Sequence, residues 1–277
     1  MSVPVTGHTQ VVGIIGDPIR HSLSPAIHNA AYAARGLDWV YLAFPVPAGR
    51  AAEALAAIRS LSLAGLQVTM PHKGDAAGAC DELSSTAATL GAVNTVVLRN
   101  GLLVGDSTDG EGFVRALADE GVDAQGARIV VLGAGGAARA ITDALGRSGA
   151  RVTVAARRLE AATMAASLAH GTHAVLFEQL DDAVAEAAVV VNATPLGMAG
   201  EDPPFDTAVL HEDQLVVDTV YQPPETPLLV QAQARGARVA NGIGMLVHQA
   251  ALAFTVFTGM DAPLGAMREA AMTSPRP

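Results

Sequence analysis

Val130-Val131-Leu132-Gly133-Ala134-Gly135-Gly136-Ala137-Ala138-Arg139-Ala140 is the stretch from which the rest of this chain is read. With Ala127-Arg128-Ile129 before it, its apolar half reads as a buried parallel strand, and the glycines open directly into a helical pattern, AARAITDALGRSG. Strand, tight turn and helix in that order begin a βαβ unit. Gly133, Gly135 and Ala138 fit the pattern G-x-G-x-x-G/A. The first glycine makes the turn, the second lets a pyrophosphate approach the backbone, and the small third residue lets helix and strand pack closely. The N–H groups and positive dipole end at Gly136 and Ala137 then form an anion site, with Ala134 and Arg139 in the same segment.

A second apolar run, RVTVAA, follows the helix and ends about twenty residues beyond the first glycine, where an NAD-binding unit carries an acid for the ribose hydroxyls. Ala155, Ala156, Arg157 and Arg158 stand there instead. Two guanidiniums suit a 2′-phosphate, so the expected cofactor is NADP rather than NAD. The competing reading makes Arg157 and Arg158 the solvated start of a helix.

With 277 residues the chain has length for two ordinary domains. Half of the residues are hydrophobic, yet no run reaches the eighteen or so apolar residues of a membrane helix. No Lys or Arg precedes Arg20, and no apolar block with a cleavage site follows the start, so a secretory signal is not expected. Cys80 is the only cysteine, which excludes an internal disulfide and fits a reducing cytoplasm; its helical setting, AAGACDEL, reads as a small buried hydrophobe. The formal net charge is −10 and no basic stripe appears, so neither nucleic acid nor membrane is an expected partner. Arg supplies every basic residue but one, Lys73. Such a retained lysine suits proton transfer, a task that the permanently charged guanidinium cannot perform; chance retention is the alternative.

The first hundred residues alternate strand and helix as an α/β layer with largely parallel strands: VVGIIGD, PAIHNAAYAARG, WVYLAFPV, AGRAAEALAAIRSL, AGLQVTM. Ser24 before Pro25 reads as a helix cap, for which Ser22 is not needed; two hydroxyls at a helix start also suit a carboxylate. His21 and His28 lack a third metal ligand and are read as packing or bonding locally. Thr69 and Lys73 fall on a strand end and its exit turn, broken by Pro71, where α/β sheets place chemistry. Asn94 enters a hairpin, VNTVVLRN-GLLVGDST, whose Asn100-Gly101 dipeptide is a turn signal, and Thr108 or Asp109 can cap the helix after it. Beyond the glycine loop, HAVLFEQ, VVVNAT and QLVVDTVY continue the strands of a doubly wound sheet, placing Asn192 to Pro195 and Asp218 to Tyr221 at strand ends. Two last helices, GIGMLVHQAALAFTVFTG and PLGAMREAAMTS, are too few for a domain and are expected to return to the first.

The motifs GDPIRHSLSP, VTMPHK, GAVNT, GDSTDG, GAGGAAR, NATPLGM, DTVYQP and GIGMLVHQAALAF, in this order, resemble the shikimate dehydrogenase family, with its shikimate/quinate relatives, over nearly the whole chain. The resemblance implies a substrate domain at 1–106, a Rossmann-type NADP domain at 107–241 and C-terminal helices at 242–277 packing on the substrate domain. It implies hydride transfer at carbon 3 of shikimate or 3-dehydroshikimate, on the route to chorismate and the aromatic amino acids. By the same resemblance Ser22 and Ser24 hold the substrate carboxylate. Thr69, Asn94, Tyr221 and Gln249 bind the ring or its hydroxyls, and Lys73 and Asp109 are the catalytic pair. Gly133 to Arg139, Ala156, Arg157, Arg158, Asn192, Ala193, Thr194, Thr219 and Gly242 line the cofactor site. Two residues depart from the family pattern: Gln67 and Ser107 stand where it carries Asn, and both adjoin the substrate motifs. They are expected to reshape the hydroxyl-reading end of the pocket. The implied partner is a small cyclic hydroxy acid, and the implied assembly a monomer or homodimer. A quinate or aminoshikimate dehydrogenase, a divergent paralogue, and a ligand-binding regulator without turnover are the alternatives.

Overall fold

The structure is a computed structural model and describes residues 5–274. It divides into two compact units, Met1–Thr108 with Leu246–Pro277, and Asp109–Met245. Among the described residues no helix is long and apolar enough to cross a membrane.

The first unit begins with β1 (Gln10–Gly16), α1 (Ser24–Ala34), β2 (Trp39–Pro45), α2 (Ala51–Ser60), β3 (Gly65–Val68) and α3 (Lys73–Ala79). It continues with β4 (Glu82–Leu83), α4 (Ser85–Leu90), β5 (Thr95–Arg99) and β6 (Leu102–Asp106). The six strands lie in the order β2-β1-β3-β5-β6-β4, all parallel except β5, which runs against both neighbours. The reversal follows from the hairpin: Asn100 and Gly101 have φ of 51° and 82°, the double left-handed turn whose twist matches that of the strands. Alternate residues of β3 send Leu66 and Val68 into one apolar core, with Leu55 and Ile58 of α2 and Ala76 of α3. Gln67, between them, faces the other way.

The second unit holds α5 (Asp109–Asp119), β7 (Arg128–Leu132), α6 (Gly136–Arg147), β8 (Arg151–Ala156), α7 (Leu159–Ala166) and β9 (His173–Leu176). Then follow α8 (Asp181–Ala185), β10 (Val189–Asn192), β11 (Leu215–Asp218), α9 (Pro227–Ala234) and β12 (Arg238–Ala240). The period-2 rule explains why these strands read as unbroken apolar runs. Ile129 and Val131 enter one core with α5, α6 and α7, and Val130 and Leu132 enter another with α8 and α9. Both faces of the sheet are therefore covered, as doubly wound topology requires. The parallel order is β12-β11-β10-β7-β8-β9. The chain winds outward from β7 to β9 and then returns to β10 on the other side of β7. The gap between the exits of β7 and β10 is thus the topological switch point, where such sheets bind ligands.

The division between units falls inside α10 (Ile243–Thr258), after Met245; α11 (Leu264–Thr273) then packs on α1. The expected return of the terminal helices to the first unit is what the chain forms. Two local expectations need correction. The strand read from HAVLFEQ stops at Leu176, and Phe177–Gln179 turn as a 3₁₀ helix. Cys80 lies beyond α3 in extended backbone and is only half-buried; burial and neighbouring Asp81 push its thiol up to about 11.

Candidate active site

In the first unit the predicted substrate residues sit at strand exits and on α10. Ser24 is the first residue of α1, is 2% exposed and makes no cap bond. Ser22 is the residue that closes the turn, its Oγ accepting the Ser24 N–H at 3.2 Å. The capping roles read from the sequence are therefore exchanged, because Pro25 already supplies the helical φ and leaves no N–H at its own position to cap.

Thr69 leaves β3 with its N–H on the Ile15 carbonyl at 3.0 Å. Lys73 opens α3, and its backbone is held on both sides. Its carbonyl accepts the Val93 N–H at 3.0 Å, and His72 before it is buried with Nε2 2.8 Å from the Val46 carbonyl. Asn94 does more than shape an entry turn. Its Oδ1 accepts from the Thr108 N–H at 2.9 Å and the Thr95 hydroxyl at 3.0 Å, and its Nδ2 donates to Thr108 Oγ1 at 2.9 Å. Thr108 Oγ1 donates in turn to the Gln249 carbonyl at 3.1 Å, so the start of β5, the exit of β6 and α10 form one clasp. Ser107, beside it, is half-buried with its N–H on Asp106 Oδ1 at 2.8 Å.

Gln67 is 2% exposed and committed to the protein. Its Oε1 accepts from the Tyr41 hydroxyl at 2.6 Å and lies 3.0 Å from His28 Nε2, and its Nε2 donates to Gln249 Oε1 at 2.9 Å. The expectation that Gln67 alters the hydroxyl-reading end of a pocket thus meets a side chain already bound on three sides. Desolvation holds the His28 imidazole down at about 3, with the hydrogen bond to Gln67 pulling the other way. His28 therefore stays neutral, stacked on Tyr41 with ring centroids 4.3 Å apart.

In the second unit the glycine turn is built as the pattern requires. Gly133 has φ of 114°, and a Cβ there would meet the Ala193 carbonyl at 2.9 Å, so only glycine lets the exits of β7 and β10 approach. A Cβ at Gly135 or Gly136 would meet nothing within 4 Å, which leaves open space over the start of α6. Gly135 caps that helix without a side-chain bond, so the first-turn N–H groups face that space. Ala138 is fully buried beneath it. Arg157 and Arg158 follow β8 directly and are exposed. These features fit a dinucleotide: a tight turn, a cradle without Cβ atoms, an uncapped helix start and two guanidiniums at the second strand end.

The neighbouring exits are tied by a buried carboxylate. Asp218 accepts from Asn192 Nδ2 at 3.0 Å, the Val220 N–H at 2.9 Å and the Thr226 hydroxyl at 2.6 Å. Desolvation raises its pKa, and those three donors oppose the rise. Asn192 Oδ1 accepts from the Thr194 N–H at 3.1 Å and hydroxyl at 2.6 Å, and its carbonyl takes the Thr219 N–H at 2.9 Å. Gly242 donates its N–H to the Val220 carbonyl at 3.1 Å and passes so close that a Cβ would lie 2.0 Å from the Thr219 carbonyl. Tyr221 is half-buried, its hydroxyl pushed up by burial. Asp109, 7% exposed, opens α5.

The sequence assigns no role to Tyr41 or Thr226, reads Thr108 as a cap and not as a clasp, and places Asp218 at a strand end without its ties to Asn192, Val220 and Thr226. Tyr41 stood out as a hydroxyl inside an apolar strand, and Asp218 as an acid closing the run LVVD. Thr226 carries the same local signal as Ser24, a hydroxyl residue directly before the proline that opens a helix, and it is the N-cap residue of α9.

Sheet order, glycine turn and open helix start define a two-unit α/β protein with a dinucleotide-binding unit. Family models match in chain order. The shikimate dehydrogenase substrate binding domain covers residues 14–96, shikimate / quinate 5-dehydrogenase covers 116–197, and the shikimate 5'-dehydrogenase C-terminal domain covers 242–272. The chain is 45% identical to the shikimate dehydrogenase (NADP(+)) of Methanopyrus kandleri over 284 residues, 98% of each chain. It is similar to the shikimate 5-dehydrogenase of Listeria monocytogenes solved with shikimate and NAD: TM-score 0.89, 37% identity, 97% of this chain and 98% of that one. It is likewise similar to the Thermus thermophilus enzyme solved with NADP(H) and shikimate: TM-score 0.88, 36% identity, 95% and 99% covered. The chain belongs to the shikimate dehydrogenase family.

Proposed function

We propose that this protein is an NADP-dependent oxidoreductase that interconverts shikimate and 3-dehydroshikimate by hydride transfer at carbon 3. The observation that carries the reading is the 45% identity, over 98% of both chains, to a relative named for that activity and cofactor. The retained chemistry supports it. When bound, NADP accepts the hydride in one direction and supplies it in the other.

The first unit supplies most of the residues for the cyclic hydroxy acid, Tyr221 and Asp109 coming from the second unit, and the second unit supplies those for the cofactor. Ser22 and Ser24 hold the carboxylate at the start of α1, and Thr69, Asn94, Tyr221 and Gln249 bind the ring and its hydroxyls. Lys73 takes the proton of the carbon 3 hydroxyl as the hydride leaves, and returns it in reduction, with Asp109 as its partner carboxylate. A lysine suits this work because its ammonium both stabilises a developing alkoxide and releases a proton, which a guanidinium retains. The N–H groups of Gly135 to Ala137 hold the pyrophosphate, and Arg157 and Arg158 the 2′-phosphate.

The test is the appearance of NADPH with purified protein, NADP and shikimate, against quinate and an aminoshikimate and with NAD in place of NADP. Turnover of shikimate with NADP at enzyme-like rates is expected. Absence of turnover with every acid in the panel would return the chain to the reading of a binding protein on this fold.

A further inference from the structure

We propose that Gln67 is a positioning residue for Gln249: a buried hydrogen-bond relay orients both amides and leaves the second N–H of Gln249 as the donor for an oxygen of the cyclic hydroxy acid. This inference rests on the substrate-binding role given to Gln249 above.

The polarity of the relay follows from one backbone carbonyl. The Leu246 oxygen can only accept, and Gln249 Nε2 donates to it at 2.9 Å. An amide carries its oxygen and nitrogen on one carbon, so Gln249 turns Oε1 the other way, where it accepts from Gln67 Nε2 at 2.9 Å. Gln67 must then present its own Oε1 to Tyr41 and His28, at 2.6 and 3.0 Å. That oxygen also can only accept. Tyr41 therefore spends its hydrogen there, and His28 carries its proton on Nε2. Turning Gln249 alone would set its oxygen against the Leu246 carbonyl, and turning Gln67 alone would set its oxygen against that of Gln249. Both are repulsive contacts, the second between buried side chains and the first at a part-buried carbonyl.

Burial makes this order rigid. His28 is fully buried, its Nδ1 has no partner, and it is held neutral, so that no second proton can reverse the scheme. Its stacking on Tyr41 couples the two donors to one oxygen. Two of the four hydrogens on the two amide nitrogens are thereby assigned within the protein, one from each residue. Gln249, 8% exposed on α10, keeps one N–H for a ligand that presents an acceptor, such as a ring hydroxyl oxygen or a carboxylate. The length of the side chain at position 67 is what the relay needs. An asparagine, the residue of the resembled pattern, is shorter by about 1.5 Å and cannot span from Tyr41 to Gln249 as the glutamine does.

The experiment is a two-residue cycle in the full chain. Gln67→Met keeps length and apolar bulk and removes every hydrogen bond of the amide; Gln249→Ala removes the positioned group; the double variant combines them. Gln67→Met is expected to raise the KM for shikimate about tenfold, with kcat within about twofold and the KM for NADP unchanged. In the Gln249→Ala background the same change should add nothing. An unchanged KM for shikimate, or effects that multiply in full, would overturn the proposal.

If Gln67→Met does not fold, His28→Phe keeps an aromatic ring beside Tyr41 and withdraws one donor from Gln67 Oε1. A rise of about two- to threefold in the same KM is then expected, and no rise counts against the relay. Nitrogen NMR of the parent reads the relay without turnover. His28 should be the neutral Nε2–H tautomer between about pH 5 and pH 8, and a ring protonated on Nδ1 overturns the scheme. Failure of the parent to turn over shikimate would sink the function proposed above, and the tautomer of His28 would still decide the relay.

Discussion

Acidification from about pH 7.5 to about pH 5 is expected to cost the fold about 2 kcal/mol through His28 alone. Its imidazole has no exposed surface, its Nδ1 has no partner, and Tyr41, Tyr32 and Phe257 surround it at centroid distances of 4.3, 6.0 and 6.2 Å. Desolvation therefore lowers its pKa from 6.5 to about 3 in the folded chain. The unfolded chain takes up this proton as the pH falls through 6.5, and the folded chain does not until about 3. Because the folded pKa is the depressed one, stability is whole above pH 6.5 and drains between that value and about 3. Each pH unit in that window is worth about 1.4 kcal/mol, and pH 5 lies about 1.5 units inside it. The assay is urea unfolding at both pH values for the parent and for His28→Phe, which keeps an aromatic ring at that position and cannot titrate. Carboxylates titrate in both proteins and cancel in the comparison. The parent should lose about 2 kcal/mol more than the variant. Parallel pH dependences, or a folded ring titrating near its ordinary value, would refute the reasoning.

Lys73→Arg keeps the charge and loses the mobile proton, so kcat at saturating shikimate should fall by at least about 10²-fold while shikimate binding persists; near-normal turnover would reduce Lys73 to an electrostatic role. Replacing Arg157 and Arg158 together by Ala should lower the ratio of kcat/KM for NADP to that for NAD by about tenfold to a hundredfold, and an unaltered ratio would remove both from the 2′-phosphate site. At Asp218 the raised pKa marks a charge the fold tolerates rather than needs. Asp218→Asn should leave the urea midpoint within about 0.5 kcal/mol of the parent, whereas Asp218→Ala, which orphans three donors, should cost about 2–4 kcal/mol. Equal losses in the two variants would mean that the charge itself holds the loops.

The second sheet was legible because its determinants are local. A strand buried on both faces must be apolar throughout, and RIVVL, RVTVAA, VVVN and LVVD are nearly so. The glycine turn was legible because Gly133 must pass the Ala193 carbonyl where no side chain fits. The hairpin was legible from Asn100-Gly101, since that dipeptide favours the double left-handed turn it adopts. The capping roles at Ser22 and Ser24 were not. Either hydroxyl satisfies the same composition rule, and which one closes the turn depends on where the helix starts relative to Pro25.

What holds the candidate residues in place is written at long separation, and periodicity carries no trace of it. Gln67 and Gln249 are 182 positions apart, and each sits in an otherwise ordinary element. As a substitution for Asn, Gln67 looks like a change in what faces a ligand; only its partners reveal a change in what holds Gln249. The difference matters for engineering. Shortening Gln67 to Asn would restore the resembled motif, yet by about 1.5 Å it would part the Tyr41 and Gln249 ends of a network whose donors are then buried without acceptors. A residue that matches a family pattern less well can therefore be the one its own fold requires, because the cost of change is set by burial and by the partners already in place.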